Sequence, residues 1–301
     1  MSRMNKKNIV AVFATMFMLI LSAGCGNQQA QKDNFRVVTS FYPVYITVAN
    51  ITAGVEGVET VNMTEAQTGC LHDYSLTTKD MRTLENADVF VINGGGMESF
   101  LEKVSADMPK LAVISASDSD KIVMLKDKQG ENPHVWLSVT YAIAQTKKIT
   151  ADLCEKDPSH ADAYRKNALD YVMKLEKLRE EMHEGLDNLP NKDIITFHEA
   201  FPYFAREFKL NIVAALEQEP GVEPSPKEVE ETIEIVNKMP TKVIFTEPQY
   251  SPVVAETIAR ETGAKLYALD PIVTGNADEN ARDDYINKMK QNAAVLKEAL
   301  Q

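Results

Sequence analysis

From Phe35 to the C-terminus, short β-branched or apolar runs alternate with stretches of helical periodicity. No other feature narrows the fold as far, because strand–helix alternation builds a mostly parallel sheet with helices on its faces. The first half places strands at 37–41, 58–63, 89–92 and 111–114, with helices over 43–53, 77–86 and 98–104. The second half repeats the plan, with strands at 194–197, 210–216, 243–245 and 265–269 and helices over 200–208, 226–239 and 252–262. A closing helix spans 279–300. Phe41-Tyr42-Pro43-Val44-Tyr45 follows the first strand of one half and Phe201-Pro202-Tyr203-Phe204 the first strand of the other. The expected fold is therefore α/β, with two similar lobes, each a mostly parallel four-stranded sheet with flanking helices.

Between the halves, Tyr164, Ala168, Tyr171, Leu175, Leu178 and Met182 recur every three or four residues and form one apolar stripe on a long helix. Asp157-Pro158 has the chemistry of a helix start, Asp as N-cap and Pro at the first helical position. The resulting helix of roughly 29 residues spans about 43 Å, the height of both lobes. The expected organisation is an N-terminal lobe over 35–157, a linking backbone helix over 158–190 and a C-terminal lobe over 191–301.

The N-terminus has its own logic. Arg3, Lys6 and Lys7 precede an apolar run over 9–21 that ends in Ser22-Ala23-Gly24, the layout of a secretory signal. Thirteen residues make a helix of about 20 Å, short of the roughly 30 Å hydrocarbon core. Leu21-Ser22-Ala23-Gly24-Cys25 resembles a bacterial lipoprotein signal, which implies cleavage after residue 24 and lipidation of Cys25. Residues 25–34 are polar up to Phe35 and read as a lipid-anchored tether. The expected location is the cell membrane, on its extracytoplasmic side.

The whole chain carries 32 basic against 44 acidic residues, a net charge of −12. Loss of residues 1–24 removes three cations and no acid, leaving 29 against 44, or −15. Such a chain repels a polyanion, so nucleic-acid binding is excluded as a function class. A monomer is expected.

Three of the five histidines stand beside strand ends: His72 in Gly69-Cys70-Leu71-His72-Asp73-Tyr74, His134 in Asn132-Pro133-His134-Val135-Trp136, and His198 in Thr196-Phe197-His198-Glu199. Asp270 follows Leu266-Tyr267-Ala268-Leu269 in the same way. Strand ends are where α/β sheets build sites. Two candidates fall in each half, and three imidazoles with one carboxylate suit a borderline ion such as zinc. Each could instead be a solvated or capping residue. His160 and His183 lie among charged residues of the long helix and read as surface positions. Glu98, Glu199, Glu217 and Glu247 are candidate partners for the second imidazole nitrogens. Gly94-Gly95-Gly96 lacks the Lys-Ser or Lys-Thr of a phosphate loop and reads as a tight turn.

Taken together, His72-Asp73-Tyr74, Asn132-Pro133-His134-Val135-Trp136, His198 with Ala200-Phe201 and Tyr203-Phe204, and Leu269-Asp270-Pro271 resemble the cluster A-I metal-binding lipoproteins. These are substrate-binding proteins of zinc and manganese ABC importers. The resemblance extends to Asn93-Gly94-Gly95-Gly96-Met97-Glu98, Glu223-Pro224-Ser225-Pro226-Lys227 and Thr246-Glu247-Pro248. It implies two lobes on a backbone helix, one cleft ion held by His72, His134, His198 and Asp270, and a membrane permease with its ATPase as partners. Manganese-type members tend to carry Glu at the place of His198, so Zn2+ is the expected cargo and Mn2+ the alternative. The chain is then not an enzyme. A manganese or iron carrier, a surface adhesin and a zinc hydrolase stay as alternatives, the last lacking any HExxH motif.

With Cys25 consumed by lipid, Cys70 and Cys154 remain as an even pair in an oxidising compartment, and a disulfide between them is expected on parity. Two free thiols, or Cys70 as a soft metal ligand, are the rival readings.

Overall fold

The structure is a computed structural model that describes residues 34–126, 130–217 and 224–301. Cys25, the leader and the tether up to residue 33 lie outside these residues. Phe35–Gln301 forms one compact unit.

The first sheet contains β1 (Phe35–Thr39), β2 (Val58–Asn62), β3 (Val89–Ile92) and β4 (Ala112–Ser115), all parallel, in the order β2-β1-β3-β4. Helices α1 (Tyr42–Ile51), α2 (Thr78–Glu85) and α3 (Leu101–Asp107) fall between the strands. The second sheet has β5 (Asp193–His198), β6 (Asn211–Glu217), β7 (Val243–Thr246) and β8 (Lys265–Ala268), again parallel and in the order β6-β5-β7-β8. Its helices are α6 (Pro202–Phe208), α7 (Pro226–Lys238) and α8 (Val253–Thr262). The faint repeat seen in the sequence is thus a duplicated topology. Strand β3, Val-Phe-Val-Ile, is buried at every position, as a strand covered on both faces must be.

Helix α4 (Val139–Lys156) leads into the long helix α5 (Ala161–Leu186). All six residues of the expected stripe are buried on α5. Its start differs from expectation. Asp157 closes α4, its N–H donating to Leu153 O at 2.8 Å. Its carboxylate accepts from Ser159 Oγ at 2.5 Å, from Tyr164 Oη at 2.6 Å and from His160 Nδ1 at 2.6 Å. Those bonds make residues 157–160 a turn, so α5 begins at Ala161, has 26 residues and is about 39 Å long. The closing helix α9 (Ala281–Leu300) leaves the second sheet to pack on α1 and α5. Tyr42 Oη donates to Asp284 Oδ2 at 2.6 Å, and Asn50 Nδ2 donates to Arg282 O at 2.9 Å. One apolar core therefore runs through both halves by way of α5 and α9.

Candidate metal centre

In each sheet the chain reverses its direction of travel between the first strand and its neighbour, β1/β3 and β5/β7. Ligand sites of open parallel sheets form at the carboxyl ends beside such switch points. His198 is the last residue of β5 and Glu247 immediately follows β7. Cys70 and His72 lie after β2, and His134 lies after β4 on the turn leading into a short 3₁₀ segment at Val135–Leu137.

The histidines converge. His72 Nε2 stands 3.3 Å from His134 Nε2, and the His134 and His198 rings have centroids 5.4 Å apart. Cys70 Sγ lies between them, 3.7 Å from His134 Nε2 and 3.9 Å from His198 Nε2. Among the described residues, the side chains whose ligand atoms all come within 4.8 Å of one another are Cys70, His72 and His134.

Outer contacts orient the rings. Asn132 Oδ1 accepts from His134 N at 3.1 Å and faces His134 Nδ1 at 3.0 Å. Asn132 Nδ2 donates to Glu199 O at 2.8 Å, which fixes the amide with its oxygen toward His134. His134 Nδ1 is therefore the protonated nitrogen, and the Nε2 lone pair points into the cluster. Glu247 Oε1 accepts from His198 N at 3.2 Å and from His198 Nδ1 at 2.6 Å, turning that Nε2 inward as well. The Asn132 contact is an Asx turn written in Asn-Pro-His, a signal available in the sequence. Glu247, one of the carboxylates considered for this role, fills it for His198. Glu98 instead caps the glycine turn, accepting from Ser40 Oγ at 2.8 Å, Asn93 N at 2.8 Å and Gly94 N at 3.0 Å. Gly94 has φ of 80° and a Cβ there would sit 2.1 Å from Ser115 Oγ, so the position requires glycine.

This turn and the second half hold the His134 loop from two sides. Asn93 Nδ2 donates to Pro133 O at 2.9 Å, and Tyr203 Oη donates to Asn132 O at 2.6 Å. Burial, then the neighbouring His198 and His72, keep the His134 imidazole well below the usual histidine range. Burial acts the same way on His198, but the Glu247 carboxylate and, after it, Cys70 override it and push His198 up to about 10.

Asp270 is placed differently from the histidines. Its Oδ1 accepts from Ile272 N at 2.7 Å and its Oδ2 pairs with Lys288 Nζ of α9 at 2.9 Å. Asp270 and His198 both lie outside the closest group of ligand atoms, but His198 Nε2 faces Cys70 Sγ at 3.9 Å. His160 and His183 pair with Asp157 and Asp187, away from the cluster. The expected disulfide is not formed: Cys70 and Cys154 are both free. Cys154, on α4, directs its sulfur to Ala161 O at 3.5 Å, whereas Cys70 faces the histidines. Parity says nothing about where each thiol points.

The sequence profile described as "Zinc-uptake complex component A periplasmic" matches residues 37–299. The high-affinity zinc uptake system protein ZnuA of Bacillus subtilis (strain 168) is 30% identical, over 96% of each chain. Among solved structures, the crystal structure of ZnuA aligns with a TM-score of 0.78 at 28% identity, covering 89% of this chain and 100% of that one. The SBP FpvC from Pseudomonas aeruginosa in complex with Mn2+ aligns with a TM-score of 0.78 at 33% identity, covering 89% of this chain and 98% of that one. The duplicated sheets, the cluster of inward-turned imidazoles and these matches lead to one assignment: the chain belongs to the zinc-uptake complex component A family.

Proposed function

We propose that this protein captures one zinc ion outside the cytoplasm and delivers it to the permease of an ABC importer, with His72, His134 and His198 as nitrogen ligands. The observation that carries the reading is the pair of outer contacts, Asn132 to His134 and Glu247 to His198, which aim the Nε2 atoms of two imidazoles at the same space. Such second partners are what metal-bound histidines use to fix tautomer and ring direction. Imidazole donors in a compact set suit zinc better than manganese, which prefers oxygen donors and higher coordination numbers. The cluster draws on loops of both halves, so the ion joins them. Cys25 serves as the lipidated anchor, with residues 25–34 as the tether that keeps the body near the permease.

Calorimetry on metal-stripped protein tests the reading. Zinc should bind one to one and displace manganese. Manganese binding more tightly than zinc would overturn the cargo, and absence of any metal binding would overturn the carrier.

A further inference from the structure

We propose that Cys70 is a ligand of the cargo ion, completing a three-histidine, one-thiolate site, with Asp270 held out of it by Lys288. The inference rests on the zinc-capture reading and deepens it by naming the fourth donor.

Geometry carries it. A tetrahedral zinc ion with Zn–N of about 2.05 Å and Zn–S of about 2.3 Å sets two nitrogens about 3.3 Å apart and a nitrogen and a sulfur about 3.6 Å apart. The His72–His134 nitrogen pair stands at 3.3 Å. The sulfur stands at 3.7 Å from one imidazole nitrogen and 3.9 Å from another. These three edges come within a few tenths of an ångström of those of a zinc tetrahedron, while His198, whose Nε2 faces the sulfur, stands outside the closest group of ligand atoms and has to close onto the ion.

The carboxylate reading asks for more. Asp270 would have to release the Ile272 N–H and the Lys288 ammonium, and Lys288 is itself fixed by donating to Thr274 O at 2.8 Å. The backbone of Asp270 is clamped as well, Asn292 accepting from its N at 2.9 Å and donating to its O at 2.8 Å. Cys70 needs no such exchange. It ligates as the thiolate, the incoming ion replacing the thiol hydrogen, which leaves to solvent as a proton. A sulfur donor also narrows the cargo, since thiolate selects zinc and disfavours manganese.

Cobalt(II) spectroscopy on the purified protein tests this. The expected result is a one-to-one cobalt complex with a near-ultraviolet thiolate-to-metal charge-transfer band that disappears in Cys70→Ser and persists in Asp270→Asn and Cys154→Ser. Zinc should also shield one thiol from alkylation, the one at Cys70. Cys70→Ser should lose more than about 100-fold in zinc affinity, because removing a mere outer partner of a ligand already costs about 10- to 100-fold. A one-to-one cobalt complex without the band, or a band that survives Cys70→Ser, would overturn the sulfur ligand while leaving the carrier intact. Failure to bind either metal would remove both.

Discussion

Replacing Glu247 by Gln keeps the shape of the His198 partner and removes its charge. The 2.6 Å contact with this buried carboxylate, joined by Cys70, pushes His198 up to about 10. A raised pKa means that the proton is held across the neutral range and must leave before Nε2 can ligate. At pH 8 a group titrating near 10 is almost fully protonated, and that proton opposes metal binding. At the ordinary value of about 6.5 the same group would be only about 3% protonated. Glu247→Gln should thus release about one proton fewer per zinc at pH 8 than the native protein. Its affinity should also lose the tenfold rise per pH unit that His198 contributes between about pH 7 and 9. Affinity at one pH is a poor readout, since lost outer support of about 10- to 100-fold opposes the relief from proton competition. Calorimetry in buffers of different ionisation enthalpy counts the protons directly. Equal proton release in the two proteins would refute the role given to Glu247.

Three further outcomes follow from the packing and the leader. Gly275→Ala would place a Cβ 2.3 Å from the Tyr42 ring, and the α1–α9 contact should weaken by about 1–3 kcal/mol; an unchanged melting temperature would contradict this. Because α5 and α9 tie both halves into one core, small-angle scattering should show nearly the same radius of gyration with and without zinc, and a large decrease on binding would contradict the stiff spine. Cys25→Ser should leave the membrane fraction, whereas retention would make the apolar run over 9–21 an uncleaved anchor.

The fold was legible where burial writes a local period. The all-apolar β3 run and the Tyr164-to-Met182 stripe declared their elements because each buries a complete face. The convergence of His72, His134 and His198 was legible only in part, because His198 ends β5 whereas His72 and His134 lie on the loops well past the ends of β2 and β4. Asp157 misled because an Asp-Pro pair suits a helix start, while the preceding helix and the Tyr164 hydroxyl compete for the same residue. The Asp270–Lys288 pair and the choice of Glu247 for His198 lie beyond any local pattern, 18 and 49 residues apart in the chain. Cys70 shows the same limit. Its pairing with Cys154 followed from counting thiols, and only the placed side chain reveals that its sulfur faces imidazoles.

The most direct test is a crystal structure of the zinc-loaded protein with anomalous data collected at the zinc edge. The account predicts a single peak within about 2.0–2.1 Å of nitrogens of His72, His134 and His198. A peak elsewhere, or one that leaves any of the three imidazoles unbound, would contradict it.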